Sequence, residues 1–131
     1  SHFSVTVPAN LSLTVSQDGI VHAAVNAAIV NNSTASVKVS SVTVQSGNGW
    51  TIVPFTKNMA DAKVDTKQIG FSINNAATKQ TGTSESLVLG SGWSIPKGDN
   101  LPLSYDAVVS AMSVPVNEQV LTLVFVLDWA A

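Results

Sequence analysis

Apolar residues in this chain recur at every second position, in short runs cut by turn-forming residues. Phe3, Val5 and Val7 alternate with Ser4 and Thr6, and Leu11, Leu13 and Val15 alternate with Ser12, Thr14 and Ser16. Near the other end Leu121, Leu123, Phe125, Leu127 and Trp129 share one parity. A period of two places all such residues on one face of a strand, whereas a helix would scatter them around its axis. Between the runs lie Asp18-Gly19, Asn31-Asn32-Ser33-Thr34, Ser46-Gly47-Asn48-Gly49, Asn74-Asn75, Gly90-Ser91-Gly92 and Lys97-Gly98-Asp99-Asn100. Short strands with turn signals at intervals of roughly 8–12 residues define an all-β chain. The expected architecture is an antiparallel β-sandwich, jelly-roll or immunoglobulin-like, of about eight to ten strands in a single domain spanning residues 1–131.

Several segments carry sharper expectations. Asp-Gly between two alternating runs predicts a hairpin at 18–19. Residues 20–30 read as one long strand, with Val21, Ala23, Val25, Ala27 and Ile29 on one face. Its alanines would also suit a helix, but its β-branched residues and the lack of an N-cap favour a strand. Val37 and Val39 share one parity and Val42 and Val44 the other, which predicts a bulge at Ser40-Ser41. Lys57, Asp61, Lys63, Asp65 and Lys67 mark 57–67 as a solvated connection, and Ile69, Phe71 and Ile73 form the next strand. Residues 78–86 read as a polar loop, 87–89 as a short buried run, 93–96 as extended and 101–110 as one strand. The last strand, 119–129, is apolar on nearly both faces, which places it centrally with a cover on each side.

Composition narrows the function. The chain has 131 residues and no Cys, so disulfide scaffolds, thiolate zinc sites and thiol chemistry are excluded. It has no Arg; six Lys stand against eight acids, a net charge of −2 that offers nucleic acid no basic footprint. Charged residues make up 11%, against a usual share of about 25%. Seventeen Ser and eleven Thr must therefore wet the surface, a pattern suited to a secreted or cell-surface β-protein. No apolar run is long enough to span a membrane as a helix, and no signal peptide is seen. The Ser1-His2-Phe3 start, without Met, fits a processed form or a tag remnant.

No catalytic constellation stands out. The histidines are His2, near the start, and His22, within a predicted strand; no Ser sits in a G-x-S-x-G turn. The acids are scattered, and Asp99, Asn100 and Asp106 lack the dense spacing of a calcium loop. No phosphate-binding loop is present, and no metal or cofactor is expected. The aromatic residues are Trp50, Trp93, Trp129 and Tyr105 with four Phe. Trp50 and Trp129 continue core parities. Trp93, between Gly92 and Ser94, is the best exposed candidate for stacking on a sugar ring, with Tyr105 as its companion. Asn-x-Ser/Thr triplets occur at Asn10, Asn31 and Asn32.

The stretch AAIVNNSTASVKVSSVTVQSGNGWTIVPF (27–55) and the ending LTLVFVLDW (121–129) resemble β-sandwich surface proteins of Gram-positive bacteria. The Asn-Asn after a strand is similar to the layout of camelysin/TasA-like matrix subunits. The Gly-Trp and closing Trp strand are similar to WxL cell-wall domains, although Ala130-Ala131 replaces the expected triplet. The resemblance implies an extracellular, non-enzymatic structural or adhesive role, and carries over no site residue. Self-association or pairing with other protein chains by strand addition is the leading expectation, because segments 3–15 and 20–30 hold no Lys, Asp or Glu apart from the turn between them. A carbohydrate-binding module and a phage fibre or capsid-associated domain are the alternatives.

Overall fold

The structure is a computed structural model that describes residues 2–7, 10–15, 21–23 and 27–131, with backbone only for 10–15 and 21–23. Among the described residues thirteen strands follow one another: β1 (Val5–Thr6), β2 (Asn10–Val15), β3 (Val21–Ala23), β4 (Ala28–Asn31), β5 (Val37–Ser46), β6 (Thr51–Ile52), β7 (Gln68–Ile73), β8 (Ala76–Ala77), β9 (Ser84–Ser86), β10 (Ser94–Ile95), β11 (Asn100–Pro102), β12 (Tyr105–Val109) and β13 (Val116–Trp129). The largest sheet has the order β10-β5-β13-β2-β3, with β9 also on β5. A second has the order β12-β7-β6, with β8 also on β7, and a third joins β1, β4 and β11. Every pairing is antiparallel except β6 with β7, which are parallel. The all-β sandwich is therefore as the alternation predicts.

The core lies between the inner faces of the two larger sheets. Val37, Val39, Val42, Val44, Leu121 and Leu123 meet Ile52, Ile69, Phe71 and Ile73 in one continuous cluster, completed by Trp50 and Trp93. Burial of such side chains supplies roughly 1.5–3 kcal/mol each, the dominant favourable contribution to folding.

β5 keeps Val on the inner face along its whole length only by changing phase. Leu127 lies opposite Val39 and Val126 opposite Ser41, so Ser40 is the extra residue of a bulge. Its hydroxyl donates to the Val126 carbonyl at 3.0 Å. A second bulge lies on β13, where Glu118 faces Leu13 and Leu121 faces Leu11. Val120 and Leu121 are consequently both fully buried, although adjacent.

The hairpin expected around 18–19 is present as β2 paired with β3, Thr14 opposite His22; the Asp18-Gly19 turn itself lies outside the described residues. Asn74 and Asn75 close the β7–β8 hairpin with φ of 46° and 66°. Between β6 and β7 the connection leaves the core at buried Val53, is largely exposed from residue 56 on, and holds a short 3-10 turn, Met59–Asp61, capped by the Asn58 side chain.

Five expectations are corrected. The run 20–30 is not one strand: its start pairs with β2 in the largest sheet, while its end, β4, belongs to the third sheet. Residues 101–110 divide likewise, β11 pairing with β4 and β12 with β7. Both runs have strand-like alternation, which records local burial and is blind to which sheet supplies it. β13 is central, between β5 and β2, but covered on one face only; Val124 and Val126 are 42% and 50% exposed. Within 78–86, Ser84–Ser86 form a strand on β5, and Thr78 is buried. In the run 87–89, Leu87 points inward but Val88 is 71% exposed, as period two requires of neighbours in extended chain.

Two buried polar residues fasten segments to one another: Thr78 within the second sheet, Asn31 between the third sheet and the largest. Thr78 Oγ1 accepts from the Phe71 N–H at 3.0 Å and donates to the Val53 carbonyl at 2.8 Å. Asn31, wholly buried, donates through Nδ2 to the carbonyls of Ala35, Ile95 and Pro96, and its Oδ1 accepts from the Ser33 N–H. A buried carboxamide with all these bonds made is stabilising, whereas the same group unpaired would cost a few kcal/mol.

Candidate functional site

The aromatic residues do not form a platform. Trp93 is buried at 5% exposure, because Ser94–Ile95 pair with β5 and its own carbonyl accepts from the Val39 N–H. The expectation of an exposed Trp93 is thereby corrected: flanking Gly and Ser signalled a loop, but the indole turns into the core. Trp50 is buried too. Tyr105 is half-buried on the edge strand β12, its ring tilted 31° against Phe71 at 5.9 Å, and burial raises its phenol pKa. The pair named from the sequence thus offers no shared stacking face.

Trp129 behaves differently. It is half-buried at the end of β13 and meets Phe3 edge-on, ring centroids 5.0 Å apart at 90°. An open cavity of about 390 Å³ lies beside it, lined by Ala35, Ser36, Trp129, Ala130 and Ala131. Sequence parity placed Trp129 at the core or rim, but no local signal pairs it with Phe3, over a hundred residues away.

The Phe3 segment forms a sheet edge. β1 pairs with β4, Val5 opposite Asn31 and Thr6 opposite Val30, and is the outermost strand of its sheet among the described residues. Side-chain and backbone bonds extend the docking: Ser33 Oγ accepts from the Ser4 N–H at 2.8 Å, the Asn32 N–H donates to the Ser4 carbonyl, and the Thr34 N–H donates to the His2 carbonyl. Asn31-Asn32-Ser33-Thr34 is therefore the seat of residues 2–4. Phe3 and Val7 remain 42% and 36% exposed beside it. Among the other outer strands Pro102 lies on β11, Glu85 on β9 and Asp106 on β12, while β8 (Ala76–Ala77) and β10 (Ser94–Ile95) hold no charge.

One charged cluster joins three elements at the far end of β5. Glu118 Oε1 accepts from the Trp50 indole N–H at 2.8 Å and pairs with Lys67 Nζ at 3.0 Å. Lys67 also donates to the Asn48 backbone carbonyl at 3.1 Å, and Asn48 Nδ2 donates to the Gln119 carbonyl at 2.6 Å. The indole bond first, then the Lys67 bond, holds the Glu118 carboxyl below its ordinary pKa. Asp65 is lowered by accepting from the Ser113 N–H and, secondarily, its hydroxyl. These acids each make bonds that fasten one segment to another. No group of His, Asp or Glu suited to a metal ion occurs among the described residues, and no helix is long and apolar enough to cross a membrane.

No family model, curated protein or solved structure matches the chain.

Proposed function

We propose that this chain is an extracellular, non-enzymatic structural or adhesive module, a fibre or filament subunit that joins other chains by strand addition. The observation that carries this reading is the edge at β1: uncharged, outermost in its sheet, and flanked by exposed Phe3 and Val7. An open edge presents unpaired N–H and C=O groups to an incoming strand, and apolar neighbours add pockets for its side chains. A guard charge there abolishes the template without touching the core. Sedimentation and electron microscopy across a concentration series test this, comparing the native chain with Thr6→Lys and Val7→Lys. Concentration-dependent assembly lost in both variants supports the reading. A monodisperse monomer at high concentration, with residues 2–7 protected from hydrogen exchange, overturns it.

A second reading, glycan binding, is favoured by one observation, the cavity walled by Trp129 and lined by no charged side chain. An indole face with small neighbours and a hydroxyl suits the apolar side of a neutral sugar ring. Retention on an insoluble glycan that survives Trp129→Ala would reject that cavity as the site.

A further inference from the structure

The turn 47–49 holds the single Asn-Gly pair in the sequence. Asn48 and Gly49 have φ of 55° and 81°, and the Trp50 N–H closes the turn on the Gly47 carbonyl at 3.1 Å. Asn48 is exposed. No acceptor is seated on the Gly49 N–H among the described residues, and nothing lies within 4 Å of where a Cβ at Gly49 would be. The Gly49 peptide is thus exposed and uncrowded.

Lys67 supplies the second half of the argument. Its ammonium sits 3.1 Å from the Asn48 carbonyl oxygen, which is conjugated to the Gly49 nitrogen. A cation on that oxygen stabilises the negative charge left when the Gly49 N–H is deprotonated, lowering its pKa and raising the fraction of nucleophile. Glu118, bonded to the same ammonium, holds it in place.

We propose that Asn48–Gly49 is a self-modifying site, at which the folded chain converts asparagine to aspartate and isoaspartate with Lys67 as the assisting cation. Solvent base removes the Gly49 amide proton, and the nitrogen lone pair forms a bond to Asn48 Cγ. The Cγ–Nδ2 bond breaks, Nδ2 takes up a proton, and ammonia leaves behind a five-membered succinimide. Water then adds to either ring carbonyl. Opening at Cγ gives aspartate, and opening at the backbone carbon gives isoaspartate. One water enters and one ammonia departs, with no oxidant or reductant. The bond from Asn48 Nδ2 to the Gln119 carbonyl must break first, so the reaction is slow and acts as a clock.

The product changes the cluster. A carboxylate at position 48 loses the donor to Gln119 and confronts that carbonyl with like partial charge. It also competes with Glu118 for Lys67, loosening the turn against the β13 bulge.

The test follows the folded protein over weeks near neutral pH, by peptide mass spectrometry and isoaspartate-specific methylation. The native chain is expected to gain the amide-to-acid mass increment in the peptide spanning 48–49, with isoaspartate as the larger product. Lys67→Met and Lys67→Gln slow this about tenfold, the effect of roughly one pKa unit at the Gly49 amide, and Lys67→Arg retains the native rate. The glutamine variant keeps a donor to Asn48, so it reports on charge even if the methionine variant does not fold. No acid product in the native chain, or equal rates in the uncharged variants, overturns the proposal.

Discussion

The side-chain amide of Asn31 reaches the carbonyl oxygen of Ile95 at 3.0 Å, across 64 residues of chain. That bond ties the end of β4 to the end of β10, and therefore the third sheet to the largest. Asn31→Leu leaves the Ala35, Ile95 and Pro96 carbonyls and the Ser33 N–H without this partner. The expected loss is about 2–4 kcal/mol in urea unfolding, since each buried group left unsatisfied costs roughly 1–3 kcal/mol and relaxation recovers part.

Gly70 is present for space. A Cβ there would lie 2.7 Å from Phe55 Cα and 2.9 Å from the Pro54 carbonyl, both backbone atoms. Gly70→Ala is expected to destabilise by about 1–3 kcal/mol, as overpacking does, with the midpoint of denaturant unfolding as the measurement.

Removing the bulge residue separates phase from chemistry. Ser40→Ala removes one exposed hydroxyl bond and should cost about 1 kcal/mol or less. Deleting Ser40 turns either Val37 and Val39 or Val42 and Val44 away from the core, and should prevent cooperative unfolding from being seen. Near-ultraviolet circular dichroism distinguishes the two outcomes.

Acid should weaken the fold through two carboxyls. Glu118 and Asp65 both have pKa values lowered in the folded chain. A lowered folded pKa means that the unfolded chain binds protons more readily, so the stabilisation is complete above the unfolded value, near 4. It is lost as pH falls through the lower folded value. Stability measured from pH 5 down to pH 2 should therefore decline, and Glu118→Gln should flatten part of that slope. A slope unchanged by the variant would contradict the assignment of Glu118.

Burial periodicity carried most of what the sequence revealed. The bulge at Ser40 was legible because two Val pairs of opposite parity can reach one face only with an extra residue between them. Asn74-Asn75 and Gly47-Asn48-Gly49 were legible because their conformations demand those residue types. The division of 20–30 and 101–110 between sheets was not, since each half alternates correctly for the sheet it joins. Trp93 misled for a related reason: a loop-like sequence says that the backbone turns, not where a large apolar side chain goes. The seat of residues 2–4 on 31–34 was hidden by distance along the chain, and the Phe3–Trp129 pair likewise.

The third sheet is a corner at which the chain passes between the two larger layers. β4 and β11 are hydrogen-bonded to each other, Leu101 opposite Ile29; along the chain β4 follows β3 of the largest sheet and β11 precedes β12 of the second. A pull on one layer is thus transmitted to the other through covalent chain as well as apolar adhesion. Sliding the layers apart therefore has to strain that corner as well as part the apolar faces.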